Sequence, residues 1–278
     1  MNSWLVAAAL LSALLHASWN AAVKSSPQPA RAMTAQLAGS ALIALAALPW
    51  AGWPVPATWP WIAASVLLNM GAVACLLRAY EHLGFGVAYP VTRASSVLLV
   101  LPLAAAVAGE WPRMLGIAGV GLVSAAVMLL ALRSGRGHAM TREGLAWTLV
   151  GSAFTAGYAV CDAQGVRQAG SPLAYGCALT IANAIAWGWL QRRAGSPLAA
   201  LASQWRRAVP MAAAAMGSYW LILWVWSHAP IALGSALRDT SAVFATLIAW
   251  LVLKERVDRN ALVAVGLATA GAVLIRLG

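Results

Sequence analysis

Two arginines sit where apolar side chains would be expected. Arg93 and Arg238 each lie inside a long apolar run, and each is followed 17 residues later by a carboxylate, Glu110 and Glu255. A guanidinium near mid-bilayer costs roughly 2.5–3.5 kcal/mol on insertion scales, so it must do something a neutral side chain cannot. Its planar fork suits a carboxylate or other anion, whether from the protein itself or from a bound small molecule. Thr92, Ser95 and Ser96 flank Arg93, while Asp239, Thr240 and Ser241 follow Arg238. For Arg93 a structural pin and an anion site are both open. For Arg238 the adjacent Asp239 favours neutralisation within the protein.

Other polar groups in apolar surroundings extend the candidate set. His16, Trp19 and Asn20 fall at i, i+3 and i+4, one face of an otherwise Ala/Leu-rich run. Such a face should meet a partner helix or a wet cavity, and His16 could take up and release a proton near neutral pH. Tyr158 occupies the position in the second half that Trp19 holds in the first, and Asp162, one turn on, lies near an expected span end. Trp220 and Trp224, at i and i+4, are candidate cavity walls; Trp226 fits a lipid-facing belt equally well. Asn69 and Asn183 read as inter-helix hydrogen-bonding groups. Glu110 and Glu255, close to Arg113 and Arg256, read as loop or cap residues, and Pro90 and Pro102 as breaks in a helix ladder. Close helix packing is the reading for Gly116, Gly119 and Gly121 and for Gly266 through Gly271.

These residues must be held by membrane-spanning helices. Of 278 residues, 62% are hydrophobic and 9% charged, with a mean hydropathy of +0.77. Soluble domains carry about 25% charged residues, so the chain reads as a polytopic membrane protein. Its net charge of +11 comes from Lys and Arg in short connections, a topology signal and not a nucleic-acid surface. Cys75, Cys161 and Cys177 lack metal-ligand spacing and read as small buried hydrophobes. The first apolar run ends in His16, Trp19, Asn20 and Lys24 and reads as a retained helix, not a cleaved signal.

Ten spans are expected, near 4–23, 33–52, 59–77, 86–108, 113–132, 144–161, 173–190, 208–227, 231–253 and 260–277. Trp4, Trp50, Trp53, Trp59, Trp61, Trp111, Trp147 and Trp205 cluster near their ends, as an interfacial belt would. The most polar stretch, 133–142, divides the chain into a first half, 1–132, and a second, 143–278. Aligning 93–132 with 238–277 without a gap gives 11 identities in 40 positions, including Arg93/Arg238, Ser96/Ser241, Glu110/Glu255 and Gly121/Gly266. Five spans per copy is odd, so the second copy must be inverted. The charge bias agrees. The 1–2 connection is basic in the first half, and in the second the 7–8 connection carries Arg192, Arg193, Arg206 and Arg207.

Ten helices in two such halves, with Glu110 through Gly121 and Glu255 through Gly271 at the fourth-to-fifth junctions, resemble the drug/metabolite transporter superfamily, most nearly its EamA-type members. The opening Leu15 to Lys24 is also similar to the first helix of bacterial EamA-type proteins. The resemblance implies an all-α membrane fold of ten helices in two inverted five-helix repeats. It implies a secondary transporter with a central cavity lined mainly by spans 1, 3, 4, 6, 8 and 9. Cation-exporting small multidrug-resistance relatives carry a first-helix Glu eight residues before a Lys. Counting back eight from Lys24 gives His16, and no carboxylate lies in that helix.

The sequence therefore points to a bacterial inner-membrane carrier of small polar metabolites such as amino acids, exporting by alternating access. Arg93, His16, Trp19, Asn20, Tyr158, Trp220, Trp224 and Arg238 are the candidate substrate contacts. Asp239, Glu110 and Glu255 are the candidate ion-pair or cap residues. No catalytic constellation, metal site or cofactor motif is expected, and the chain is not expected to be an enzyme. The partners implied are substrate, lipid and protons as coupling ion, with a monomer or homodimer as the assembly. A multidrug cation exporter and a non-transporting membrane scaffold are the alternatives. Thirteen of the 18 Lys/Arg fall in odd-numbered connections, which puts those in the cytoplasm and both termini outside. A reporter that fluoresces only in the cytoplasm, fused after Gly278, should stay dark; cytoplasmic fluorescence would reverse this orientation.

Overall fold

The computed structural model describes residues 1–83, 85–134, 141–193, 195–253 and 259–278; Glu255 lies outside the described residues, as do residues 135–140 of the polar connection. Among them the chain is all helix: α1 Ser3–Lys24, α2 Pro29–Ala51, α3 Trp59–Leu83, α4 Phe85–Ala108, α5 Met114–Ser134, α6 Arg142–Gln168, α7 Pro172–Leu190, α8 Pro197–His228, α9 Ile231–Asp239, α10 Ser241–Leu253 and α11 Arg259–Leu277. Seven helical segments are long and apolar enough to cross a bilayer, and α5 and α11 hold shorter apolar stretches. With α9 and α10 together forming the ninth span, this is the architecture of a ten-span, multi-pass membrane protein.

The turn-forming dipeptides are helix starts. Ser171 accepts a hydrogen bond from the Ala174 amide at 3.2 Å, and Pro172 follows as the first helical residue of α7. Ser196 and Pro197 repeat the device at α8, and Thr141 caps α6 through the Gly144 amide. A hydroxyl cap followed by a residue with no amide to satisfy is a strong helix start. Two expectations change. Helix α4 runs unbroken from Phe85 to Ala108 despite its prolines, while the ninth span, which has none within it, is interrupted at Thr240. There the Thr240 hydroxyl donates to the Leu237 carbonyl at 2.6 Å, a local bond that competes with the helix ladder. Helix α6 also continues to Gln168, well beyond the expected end at Cys161, which draws Asp162 inside.

Many inward positions are small, and many large apolar side chains face outward. Ala9, Ala13, Ala156, Ala163 and Ala236 are fully buried, while Leu42, Leu67, Leu149 and Ile185 are exposed. Lipid solvates those large side chains, and helices approach closely through the small ones. Trp4, Trp50, Trp53 and Trp111 are exposed at or beside helix ends, in keeping with an interfacial belt, and Trp205 is exposed beside the break at Gln204 in α8.

The halves are related by a two-fold pattern of contacts. Helix α1 packs on α8 as its counterpart α6 packs on α3. Helix α4 packs on α6 as α9 and α10 pack on α1. Helices α2 and α7 meet, and so do α5 and α11. The start of α1 and the end of α6 lie at the same end of the molecule: the Met1 amino group donates to Arg276 O beside the chain terminus, and Trp61 Nε1 at the start of α3 reaches Gln168 at the end of α6. The copies are therefore inverted.

At the α5–α11 crossing a Cβ on Gly119 would meet the Gly271 carbonyl oxygen at 2.7 Å, and one on Gly271 would meet that of Gly119 at 2.8 Å. Only glycine fits either position. Gly121 and Gly266, which align in the repeat, have nothing within 4 Å of such a Cβ. Gly119→Ala or Gly271→Ala should therefore lower stability by roughly 1–3 kcal/mol, the usual cost of overpacking. Gly121→Ala and Gly266→Ala should leave the thermal unfolding midpoint in detergent unchanged.

Candidate functional site

Four helix faces converge at mid-molecule. Helix α4 presents Arg93, Ser96, Val97 and Val100, and α9 presents Ser235, Arg238 and Asp239. Helix α6 adds Thr155, Tyr158 and Ala159, and Trp226 of α8 closes the wall. These are helical repeats of i, i+3, i+4 and i+7, so each set lies on one face. The space they enclose is about 20 Å³, room for about one water. The centre is shut in this conformation.

Arg93 of the first half and Asp239 of the second form an ion pair, Nη2 to Oδ1 at 2.7 Å, with each residue under 10% exposed. This corrects the reading of Asp239 as the neutraliser of its sequence neighbour. On a helix, adjacent side chains diverge by about 100°, so Asp239 faces across to α4 while Arg238 turns elsewhere. The hydroxyls around Arg93 are engaged with backbone: Ser96 donates to the Arg93 carbonyl, Thr92 to that of Ala88, and Ser152 of α6 to that of Thr92.

Arg238 is the residue left over. It is 8% exposed, its Nε is fully buried, and it makes no hydrogen bond or ion pair among the described residues. Its Cζ stands 5.8 Å from the Tyr219 ring centroid and 5.9 Å from that of Trp226. Cation–π contact is worth about 2 kcal/mol when desolvated, less than a buried guanidinium loses with its hydration. A guanidinium fork suits a carboxylate or other anion.

Asp162 forms the opposite pole. It is buried on the α6 face that carries Thr155, Tyr158 and Ala159, one turn beyond them. Tyr219 donates to its Oδ2 at 2.7 Å and Tyr175 of α7 to its Oδ1 at 3.3 Å. Tyr219 thus lays its ring against Arg238 and its hydroxyl on Asp162. Asp162 is not near a span end as expected, because α6 continues past it to Gln168 and two phenols replace water around it.

The other sequence candidates divide. Tyr158 lines the centre. His16 lies within electrostatic reach of both guanidinium groups and stacks edge-on with Trp19 at 5.2 Å. Asn20 spends its amide on the His16 carbonyl of its own helix. Trp19 packs against Ala32, Ala35 and Met211, away from the centre. Trp220 packs against Cys177, Met216 and Leu48, and Trp224 is exposed beside His228. Helix α8 turns Tyr219, Ile222, Leu223 and Trp226 inward instead, so Trp226, at 1% exposure, is no belt residue. Both faces of α8 carry aromatics at helical spacing, and nothing in the sequence chooses between them.

Glu110 closes one end. Its Oε2 accepts from the Ile231 amide at the start of α9, at 2.7 Å, and its Oε1 pairs with Arg167 Nη2 at 2.6 Å. Arg167 also donates to the carbonyls of Trp226 and Ala229 at the end of α8. One carboxylate and one guanidinium therefore tie α4, α6, α8 and α9 together, a stronger form of the expected cap, with Arg167 and not Arg113 as its partner. Asn69 and Asn183 join α3 to α7 at 3.3 Å, as expected.

Residues 142–277, spanning α6 to α11, match the model of the EamA-like transporter family. A solved crystal structure 16% identical in sequence superposes with a TM-score of 0.76, covering 99% of this chain and 96% of its own; at that identity it speaks for the fold alone. No curated protein matches the chain in sequence.

The Arg93–Asp239 geometry sets a stability test. Arg93→Met or Asp239→Leu alone should cost roughly 3–5 kcal/mol, because each removes one partner of a buried ion pair. The double variant should recover most of that loss in detergent unfolding; additive losses would mean the two charges do not depend on each other.

Proposed function

Since the chain belongs to the EamA-like transporter family, within the drug/metabolite transporter superfamily, we propose that it is a bacterial inner-membrane carrier of small zwitterionic metabolites, amino acids foremost. One observation carries the reading: a buried guanidinium, Arg238, with no anion of the protein upon it among the described residues. Two arginines and two aspartates occupy the centre. Arg93 and Asp239 satisfy each other, which leaves one positive and one negative pole on either side of Tyr219. A carboxylate on Arg238 and an ammonium on Asp162 would answer both poles. Tyr158 and Trp226 would then wall the side chain.

Transport follows from alternating access. The halves 1–132 and 143–278 rock about the α5–α11 crossing, and the Glu110–Arg167 tie closes one end while the other opens. The charge bias makes the tied end the outer one, and export is the direction this reading takes. A lipophilic cation could use Asp162, but it would have to approach two guanidinium groups in a low-dielectric centre, which opposes the multidrug reading. A pure scaffold would have no use for an unpaired buried charge.

The test is uptake or counterflow in proteoliposomes with a panel of radiolabelled amino acids and, beside it, tetraphenylphosphonium. Amino-acid flux should fall roughly 30-fold or more in Arg238→Gln, the loss of one partner of a buried charge pair, with insertion and unfolding unchanged. Arg238→Lys should retain only part of it, because an ammonium lacks the fork. Saturable transport of the cation alone, indifferent to Arg238→Gln, would sink the reading.

A further inference from the structure

Away from the centre, at the end of the molecule opposite the Glu110–Arg167 tie, a cleft of about 490 Å³ opens between the α1–α2 connection and the start of α8. Arg31, Arg206 and Arg207 line it, and among the described residues no carboxylate does. Three like charges around one depression repel one another unless an anion sits among them. The backbone adds to the positive field. Helix α2 begins at Pro29 with no side-chain cap on its first amides, and α8 is interrupted at Gln204 (φ −132°, ψ 21°) so that it restarts at the cleft. Helix starts carry partial positive charge and unpaired amides.

The site is placed for a lipid. Trp205, 58% exposed, stands on its rim with the Arg206 guanidinium 5.6 Å over its ring. An exposed indole at a helix restart is an interfacial anchor, at headgroup depth. Arg31 donates to Ser203 Oγ at 3.0 Å, which fixes α2 to the first turns of α8 and holds two sides of the cleft at a set width. Ser26 and Gln28 supply neutral hydrogen-bonding groups on the remaining side. We propose that this cleft binds the phosphodiester headgroup of an anionic phospholipid, with its acyl chains running down the α2–α8 surface. The shared chemistry with free phosphate is the arginine cluster; the commitment to lipid comes from Trp205 and from the depth of the restart.

The proposal is independent of the central site. It is tested with the full chain in detergent, by thermal unfolding and by native mass spectrometry of retained lipid, after addition of phosphatidylglycerol, phosphatidylcholine or inorganic phosphate. Phosphatidylglycerol should raise the midpoint and stay bound, while phosphatidylcholine and phosphate should not. The exposed triple substitution Arg31→Gln/Arg206→Gln/Arg207→Gln should weaken retention by on the order of a hundred-fold, given what each basic group contributes at an anionic surface. Arg192→Gln/Arg193→Gln, on the same end but outside the cleft, should change nothing. Equal retention of the two lipids, or an effect of the control substitutions as large as that of the triple, would overturn the site. A full shift with inorganic phosphate alone would overturn the lipid assignment.

Discussion

The ion pair between Arg93 and Asp239 joins the two halves at a depth where neither charge can be left alone. In water such a pair contributes little; here each partner's desolvation makes the other indispensable. It holds α4 to α9, and by using one arginine and one aspartate it defines what remains. Arg238, one residue along the same helix, turns away from α4 toward Tyr219 and Trp226. The chemistry of the centre follows from that division.

A second division concerns rigidity. The α5–α11 crossing is locked by two glycines whose backbones touch, so it can serve as a fixed pivot. The Glu110–Arg167 tie is different in kind: it rests on one carboxylate that caps a helix start and pairs with a guanidinium capping another helix end. Its two side chains are 25% and 19% exposed, so water reaches this pair more than it reaches Arg93 and Asp239. A close-packed crossing and a partly hydrated tie are the two parts the proposed alternating-access cycle would use. The break at Thr240, beside Arg238 and Asp239, separates α9 from α10 at that point.

The fold was legible because its signals are physical necessities. Apolar length marks spans, Ser-Pro marks helix starts, and an odd number of spans per copy forces inversion. Arg93, Arg238 and Tyr158 were legible in the centre for the same reason, since polar groups in lipid-soluble runs need company. What stayed hidden was orientation around a helix axis. Asp239 was assigned to its neighbour in sequence although adjacent helical residues point apart. Nothing in the sequence separates Tyr219 and Trp226 from Trp220 and Trp224, because α8 is aromatic on both faces. Asp162 ended an apolar window, so it was read as an edge; only the two tyrosines from α7 and α8 explain how a carboxylate is kept inside. Glu255, the repeat partner of Glu110, lies outside the described residues.

The division of labour between the two arginines is open to one direct measurement: amino-acid flux in proteoliposomes through the charge-free double variant Arg93→Met/Asp239→Leu. If the pair only joins the halves, removing both charges together should leave flux of wild-type order, carried by Arg238 and Asp162. If flux vanishes while the protein remains folded and inserted, Arg93 itself holds the substrate, and the assignment of the anion site to Arg238 is contradicted.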